Sequence, residues 1–98
     1  MANILIVDDD IETIKLIEGI IKTDGHKPFS VTESKNALEA VKSILPDLIL
    51  LDIMMAEING IAICKLIKSD PAISRIPVVM VSALGDEGTK RDAAKAGA

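Results

Sequence analysis

Pro46-Asp47-Leu48-Ile49-Leu50-Leu51-Asp52-Ile53-Met54-Met55 is the stretch on which the fold turns. Leu48–Leu51 is an unbroken apolar run of strand length. Such runs mark strands buried on both faces, as in parallel sheets covered by helices above and below. Asp52 follows at once and precedes Ile53, Met54 and Met55. A charge in that setting is costly unless it has a partner. Two comparable runs lie elsewhere in the chain. Ile4–Val7 leads into Asp8, Asp9 and Asp10, and Pro77–Val81 leads into Ser82 and Ala83. Lys27–Val31 reads as a shorter, weaker strand ahead of Thr32 and Glu33.

Helical periodicity fills the intervals. Ile11, Ile14, Ile17, Ile20 and Ile21 recur at three- and four-residue spacing and predict one apolar stripe. Asp24-Gly25 closes that helix, with Gly25 suited to a left-handed position past its end. Gly19 lies mid-helix, at a cost of about 1 kcal/mol against Ala. Glu33–Ser43 is predicted helical through Ala37, Leu38, Val41, Ile44 and Leu45, and Pro46 stops it. Asn59–Ser69 is a third helix, with Ile63, Leu66 and Ile67 on one side and Pro71 after its end. Asp86–Ala96 is a fourth, terminated by Gly97. Strand and helix thus alternate four times. Right-handed crossovers then predict a doubly wound α/β fold, one domain over residues 1–98.

Composition narrows the function. Ninety-eight residues make one small domain. The net charge is −4 and Phe29 is the single aromatic, so neither a phosphate-binding surface nor a base-stacking platform is expected. An apolar content of 49% is too high for a disordered segment. No apolar run approaches the roughly 20 residues of a membrane helix, and the start of the chain has no signal-peptide pattern. Cys64, the one cysteine, cannot form an internal disulfide, which points to a reducing cytoplasm.

In open parallel sheets, ligands bind beyond the carboxyl ends of the strands. Those ends here carry Asp8, Asp9, Asp10, Asp52 and Ser82. Crowded carboxylates raise one another's pKa unless a hard cation joins them. Mg²⁺ takes one or two carboxylates and keeps several waters. A carboxylate can also attack a phosphoryl group to give an acyl phosphate. The hydroxyl of Ser82 could donate to a phosphoryl oxygen. Asp10 is equally well placed as the N-cap of the first helix, and Asp9 with Glu12 fits a capping-box variant. Bland roles are expected elsewhere: His26 in a solvated turn, Cys64 as a small buried hydrophobe, Met54 and Met55 in local packing, and Lys90, Arg91 and Lys95 on a solvated helix face. No Walker-type phosphate loop occurs.

These residues, taken in order, resemble the receiver domain of two-component response regulators. Ile4-Leu5-Ile6-Val7-Asp8-Asp9-Asp10 is similar to the family's first strand and acidic pair. Pro46–Met55 is similar to its phospho-acceptor strand and loop, and Asn59-Gly60 follows at the family's spacing. Ile76–Ala83 is similar to its fourth strand and switch hydroxyl, and Ala94–Ala98 to the end of its fourth helix. The resemblance implies a flavodoxin-like, CheY-like fold and a signalling module of the cytoplasm, not an enzyme. It implies that Asp52 accepts a phosphoryl group from a histidine kinase or phosphotransfer protein. It further implies that Asp9 ligates Mg²⁺ (or Mn²⁺) directly, that Asp8 assists through water, and that the Met54 carbonyl completes the protein's share. Ser82 would relay the phosphoryl group's presence to the fourth helix.

Two departures shape the expectation. Ala56 stands where the family usually has Pro. The sequence stops at Ala98, before the family's fifth strand, its phosphate-contacting Lys and its fifth helix. The expected sheet therefore has four strands in the order 2-1-3-4, with the fourth at an edge. An apolar edge is a template for another chain, so self-association is expected there, as a homodimer or other assembly. Two other functions fit less fully. One is an interaction module with this fold and no phosphorylation. The other is a Mg²⁺-dependent aspartyl phosphohydrolase of the haloacid-dehalogenase pattern, which wants a second Asp where Met54 stands.

Overall fold

Four parallel strands form one sheet: β1 (Asn3–Val7), β2 (Lys27–Val31), β3 (Leu48–Asp52) and β4 (Val78–Val81). Their order is β2-β1-β3-β4, as predicted. The computed structural model describes residues 1–52 and 59–81. Among the described residues three helices connect the strands: α1 (Ile11–Thr23), α2 (Ala37–Ile44) and α3 (Gly60–Ser69). A 3₁₀ turn, Ser34–Asn36, leads into α2 in place of the continuous helix expected from Glu33. The fourth helix expected over Asp86–Ala96, with Gly97, Lys90, Arg91 and Lys95, lies outside the described residues.

Strand alternation divides the core in two. Leu5 and Val7 of β1 and Ile49 and Leu51 of β3 face α2 and α3, where they pack with Val41, Ile63, Cys64 and Ile67. Ile4 and Ile6 face the other way and pack against Ile14 and Ile21 of α1. That second layer is thinner. Leu48 and Leu50 are only partly buried, and Val79 of β4 is 48% exposed. Among the described residues β4 pairs with β3 alone.

The stripe of α1 is narrower than the five isoleucines suggested. Ile14 and Ile21 are buried and Ile17 is half-buried, but Ile11 and Ile20 are both 58% exposed. At 100° per residue, positions 14 and 21 nearly coincide, whereas position 20 is rotated well off the sheet. The end of α1 follows the prediction. Gly25 takes φ +81°, its N–H donates to the Lys22 carbonyl at 3.0 Å, and the His26 N–H donates to the Ile21 carbonyl at 3.0 Å. This 6→1 and 5→2 pair is a Schellman cap. His26 is more than a solvated turn residue, because its Nδ1 accepts the Ala2 N–H at 3.0 Å.

The other connections are held by polar contacts. Leu45 ends α2 in the left-handed region at φ 49°. Asp70 accepts the Ala72 N–H at 3.0 Å and pairs with Lys42 at 3.3 Å, tying α2 to the loop after α3. Lys68 Nζ donates to the carbonyls of Ser74 and Ile76 at 3.1 and 2.7 Å. No spacing rule announces that last pair of bonds, since they run from a side chain to distant backbone.

Candidate functional site

Register sets the site. Ile6 pairs with Leu50 and Val7 with Leu51 across β1 and β3. One step further along both strands are Asp8 and Asp52. Alternation puts each on the side of the sheet shared with Ile6 and Leu50, so the two carboxylates emerge on the same side. Asp9 follows in the loop to α1. Ligand oxygens of Asp8, Asp9 and Asp52 lie within 4.8 Å of one another. Asp8 is buried, at 5% exposure, Asp52 is half-buried and Asp9 is exposed.

The backbone fixes Asp8 at both ends. Its N–H donates to the Val31 carbonyl at 3.1 Å, which anchors it to the end of β2. Its Oδ1 accepts the Asp10 N–H at 2.9 Å. The carboxylate therefore helps to turn the chain from β1 into α1.

Asp10 belongs to the helix. It is the N-cap of α1, in extended conformation, and its Oδ1 accepts the Glu12 N–H at 3.1 Å. Thr13 Oγ1 donates to its other oxygen at 2.7 Å. These bonds, that from Thr13 first and that from Glu12 second, hold the Asp10 carboxyl below the usual carboxylate range. Thr13 drew no attention in the sequence, although a hydroxyl three residues past an N-cap is the signal that would have found it.

Three carboxylates at this spacing form a donor set of hard oxygens. That chemistry fits a small divalent cation such as Mg²⁺, which takes carboxylate oxygens and retains water. Met54 and Ser82, named from the sequence as a carbonyl ligand and a switch hydroxyl, lie outside the described residues. Cys64, by contrast, is fully buried in the α3 layer, where burial pushes its thiol up and nearby Lys68 partly opposes the shift. It packs as a small hydrophobe, as expected.

A doubly wound parallel sheet with an acidic cluster across its central strand ends is an α/β domain whose candidate site lies where open parallel sheets bind ligands. Residues 4–98 match the family described as "Response regulator receiver domain", and the chain belongs to that family. It is 34% identical over 97 residues to response regulator PleD of Caulobacter vibrioides, covering 99% of this chain and 21% of that protein. It is 35% identical over 83 residues to the DNA-binding response regulator MtrA of Mycobacterium tuberculosis, covering 85% of this chain and 35% of that protein. The chain thus spans a minor part of these curated relatives. Among solved structures, a putative response regulator from Chloroflexus aurantiacus superposes with a TM-score of 0.94 at 29% identity, covering 99% of this chain and 80% of that one. The BeF₃-activated receiver domain of RstA from Klebsiella pneumoniae superposes with a TM-score of 0.91 at 25% identity, covering 98% and 80%.

Proposed function

We propose that this receiver domain is a phospho-acceptor in a phosphorelay, with Asp52 as the acceptor. The observation that carries the reading is the meeting of Asp8, Asp9 and Asp52 within 4.8 Å at the carboxyl ends of β1 and β3. The donor is a histidine kinase or phosphotransfer protein. An Asp52 oxygen attacks the phosphorus of a phosphohistidine. The O–P bond forms as the N–P bond breaks, and the departing imidazole nitrogen keeps the electron pair and takes up a proton. Mg²⁺, or Mn²⁺, when bound, supplies positive charge against the phosphoryl oxygens. Asp8 and Asp9 would hold it, with the Met54 carbonyl as a further ligand. Asp8 is the better preorganised of the two acids, because two hydrogen bonds fix its position. Ser82 is assigned the role of switch hydroxyl, on the strength of the family pattern.

The domain is thus a signalling element, not an enzyme. MtrA is DNA-binding by name, but the net charge of −4 offers no such role to this chain. A cytoplasmic setting is part of the proposal, supported by the single cysteine. Among the described residues no helix is long and apolar enough to cross a membrane. Self-association also belongs to the proposal. The β4 edge, with Val79 exposed, is one surface for it.

Incubation with acetyl phosphate and Mg²⁺, followed by intact mass, tests the reading. One added phosphoryl group on the wild type and none on Asp52→Asn is the expected result. Steady hydrolysis of a phosphate ester would make it a phosphohydrolase instead. No modification would leave an interaction module without phosphorylation.

A further inference from the structure

At the pole where β3 and β4 begin, away from the acidic cluster, the chain forms a cavity of mixed charge. Leu45, Pro46, Asp47, Arg75, Ile76 and Pro77 line it, around a volume of about 260 Å³. Both of its walls are pinned. On the β3 side, the Asp47 N–H donates to the Asn3 carbonyl at 2.7 Å, and Asp47 Oδ2 accepts the Asn3 N–H at 2.8 Å. On the β4 side, Nζ of the half-buried Lys68 donates to the carbonyls of Ser74 and Ile76, one residue to either side of Arg75. The Ile49 N–H donates to the Pro77 carbonyl at 3.0 Å and joins the two walls. Asp47 and Arg75 are both exposed, yet they do not pair with each other. Among the described residues the ion pairs are Lys35–Glu33 and Lys42–Asp70. Leu45, at φ 49°, is 55% exposed, so the left-handed end of α2 leaves an apolar side chain at the rim.

We propose that this cavity binds a free α-amino acid with an apolar side chain, such as leucine. The Arg75 guanidinium takes the α-carboxylate, for which its planar fork of N–H donors is suited. The Asp47 carboxylate takes the α-ammonium. Leu45 and the rings of Pro46 and Pro77 cover the side chain, and the apolar surface on both sides loses water. Other ligand classes fit less well. A phosphate dianion meets the Asp47 carboxylate and the field of a chain with net charge −4. A metal cation meets Arg75. A nucleotide or other large ligand exceeds the space, since pockets for drug-sized molecules run to about 300–1,000 Å³. A zwitterion of amino-acid size meets neither repulsion and uses both charges. The bonds from Asn3 and Lys68 hold the backbone that carries those charges before any ligand arrives, which lowers the ordering cost of binding. The site is at the start of β3, whereas Asp52 is at its end, so binding here does not depend on phosphorylation of Asp52.

Titration of the whole ¹⁵N-labelled chain with L-leucine, followed by NMR, tests this. Saturable shifts are expected at the amides of Leu45, Asp47 and Arg75 and at Arg75 Nε–H, with a weak Kd of about 1 mM. L-Leucinamide lacks the carboxylate and N-acetyl-L-leucine lacks the ammonium, and each is expected to bind about tenfold more weakly. Arg75→Gln and Asp47→Asn are expected to weaken leucine binding by a similar factor of about ten. Both positions are on the surface, and Asn keeps an oxygen to accept the Asn3 N–H. Circular-dichroism melts verify that each variant folds. The absence of any saturable shift at this pole overturns the proposal. So does binding that ignores Arg75→Gln, or inorganic phosphate binding here more tightly than leucine, since that would be a site for anions.

Discussion

Replacing Asp9 by Asn separates the cost of the acidic cluster from its use. Asp9 is exposed, and among the described residues its side chain takes part in no hydrogen bond or ion pair, so the substitution removes charge and little else. At a separation of 4.8 Å, two carboxylates repel by about 0.9 kcal/mol even at the dielectric constant of water. Asp9 faces two such neighbours, Asp8 and Asp52. Salt and the exposure of Asp9 reduce the summed repulsion to about 1 kcal/mol. Without divalent ions, Asp9→Asn is therefore expected to be the more stable protein, melting about 4–8 °C higher for a domain of this size.

Magnesium is expected to reverse the order. An ion that binds only the folded state stabilises it by about 2.7 kcal/mol at a hundred times its Kd. The wild type is expected to collect that gain, whereas Asp9→Asn lacks one of the charges proposed to hold the ion. Thermal melts in EDTA and in excess Mg²⁺ should show the two proteins exchanging rank. Parallel responses to Mg²⁺, or a variant less stable than the wild type in EDTA, would refute the shared-cation reasoning. Either result would mean that the three acids meet without acting on one another.

Three further predictions are more local. Gly19→Ala should stabilise the monomer by about 1 kcal/mol, because the added methyl meets nothing and helix propensity improves; chemical denaturation measures it. Leu45→Gly should stabilise the chain by up to about 1 kcal/mol, since Leu45 is held at φ 49° while 55% exposed, and equilibrium unfolding in urea checks this. Asp10 and Asp70 have lowered pKa values, Asp10 through Thr13 and then Glu12, Asp70 through the Ala72 N–H and then Lys42. Their folded pKa values lie below the unfolded one near 3.8, so the stability they contribute is present above that pH and is lost as pH falls through the folded values. Asp10→Ala should therefore melt lower than the wild type at neutral pH and approach it as pH falls through the folded Asp10 value.

What could be read without coordinates was whatever depends on short periods. The β2 limits, Lys27–Val31, were legible residue by residue, the doubly wound architecture followed from handed crossovers, and the order of strands followed from the resemblance to the receiver family. The end of α1 was legible because only glycine takes φ +81° without strain. The stripe of α1 was not. Periodicity names every isoleucine near a 3.6-residue repeat, but the sheet covers only a narrow arc, and Ile11 and Ile20 fall outside it. His26 was misjudged for a related reason. Its bond to Ala2 runs between residues 24 apart and depends on how β1 and β2 align at their ends.

The acidic triplet shows where sequence reasoning reaches a choice it cannot make alone. Asp8, Asp9 and Asp10 are chemically alike and adjacent, and each could cap a helix or face a cation. The structure divides them by strand alternation and by helix geometry. Asp8 continues the side of β1 that carries Ile4 and Ile6, which turns it toward Asp52. Asp10 turns away because its carboxylate must reach the N–H of Glu12. The Asp10 N–H then returns to Asp8 Oδ1, so the residue that starts α1 also steadies the buried acid of the cluster. Putting Asp9 in the place of Asp8 would require shifting β1 by one residue against β3. That shift would turn Ile4 and Ile6 toward α2 and α3 and Leu5 and Val7 toward α1, emptying both packed layers of their present side chains. The placement of the carboxylates is thus enforced by the isoleucines, leucines and valines behind them.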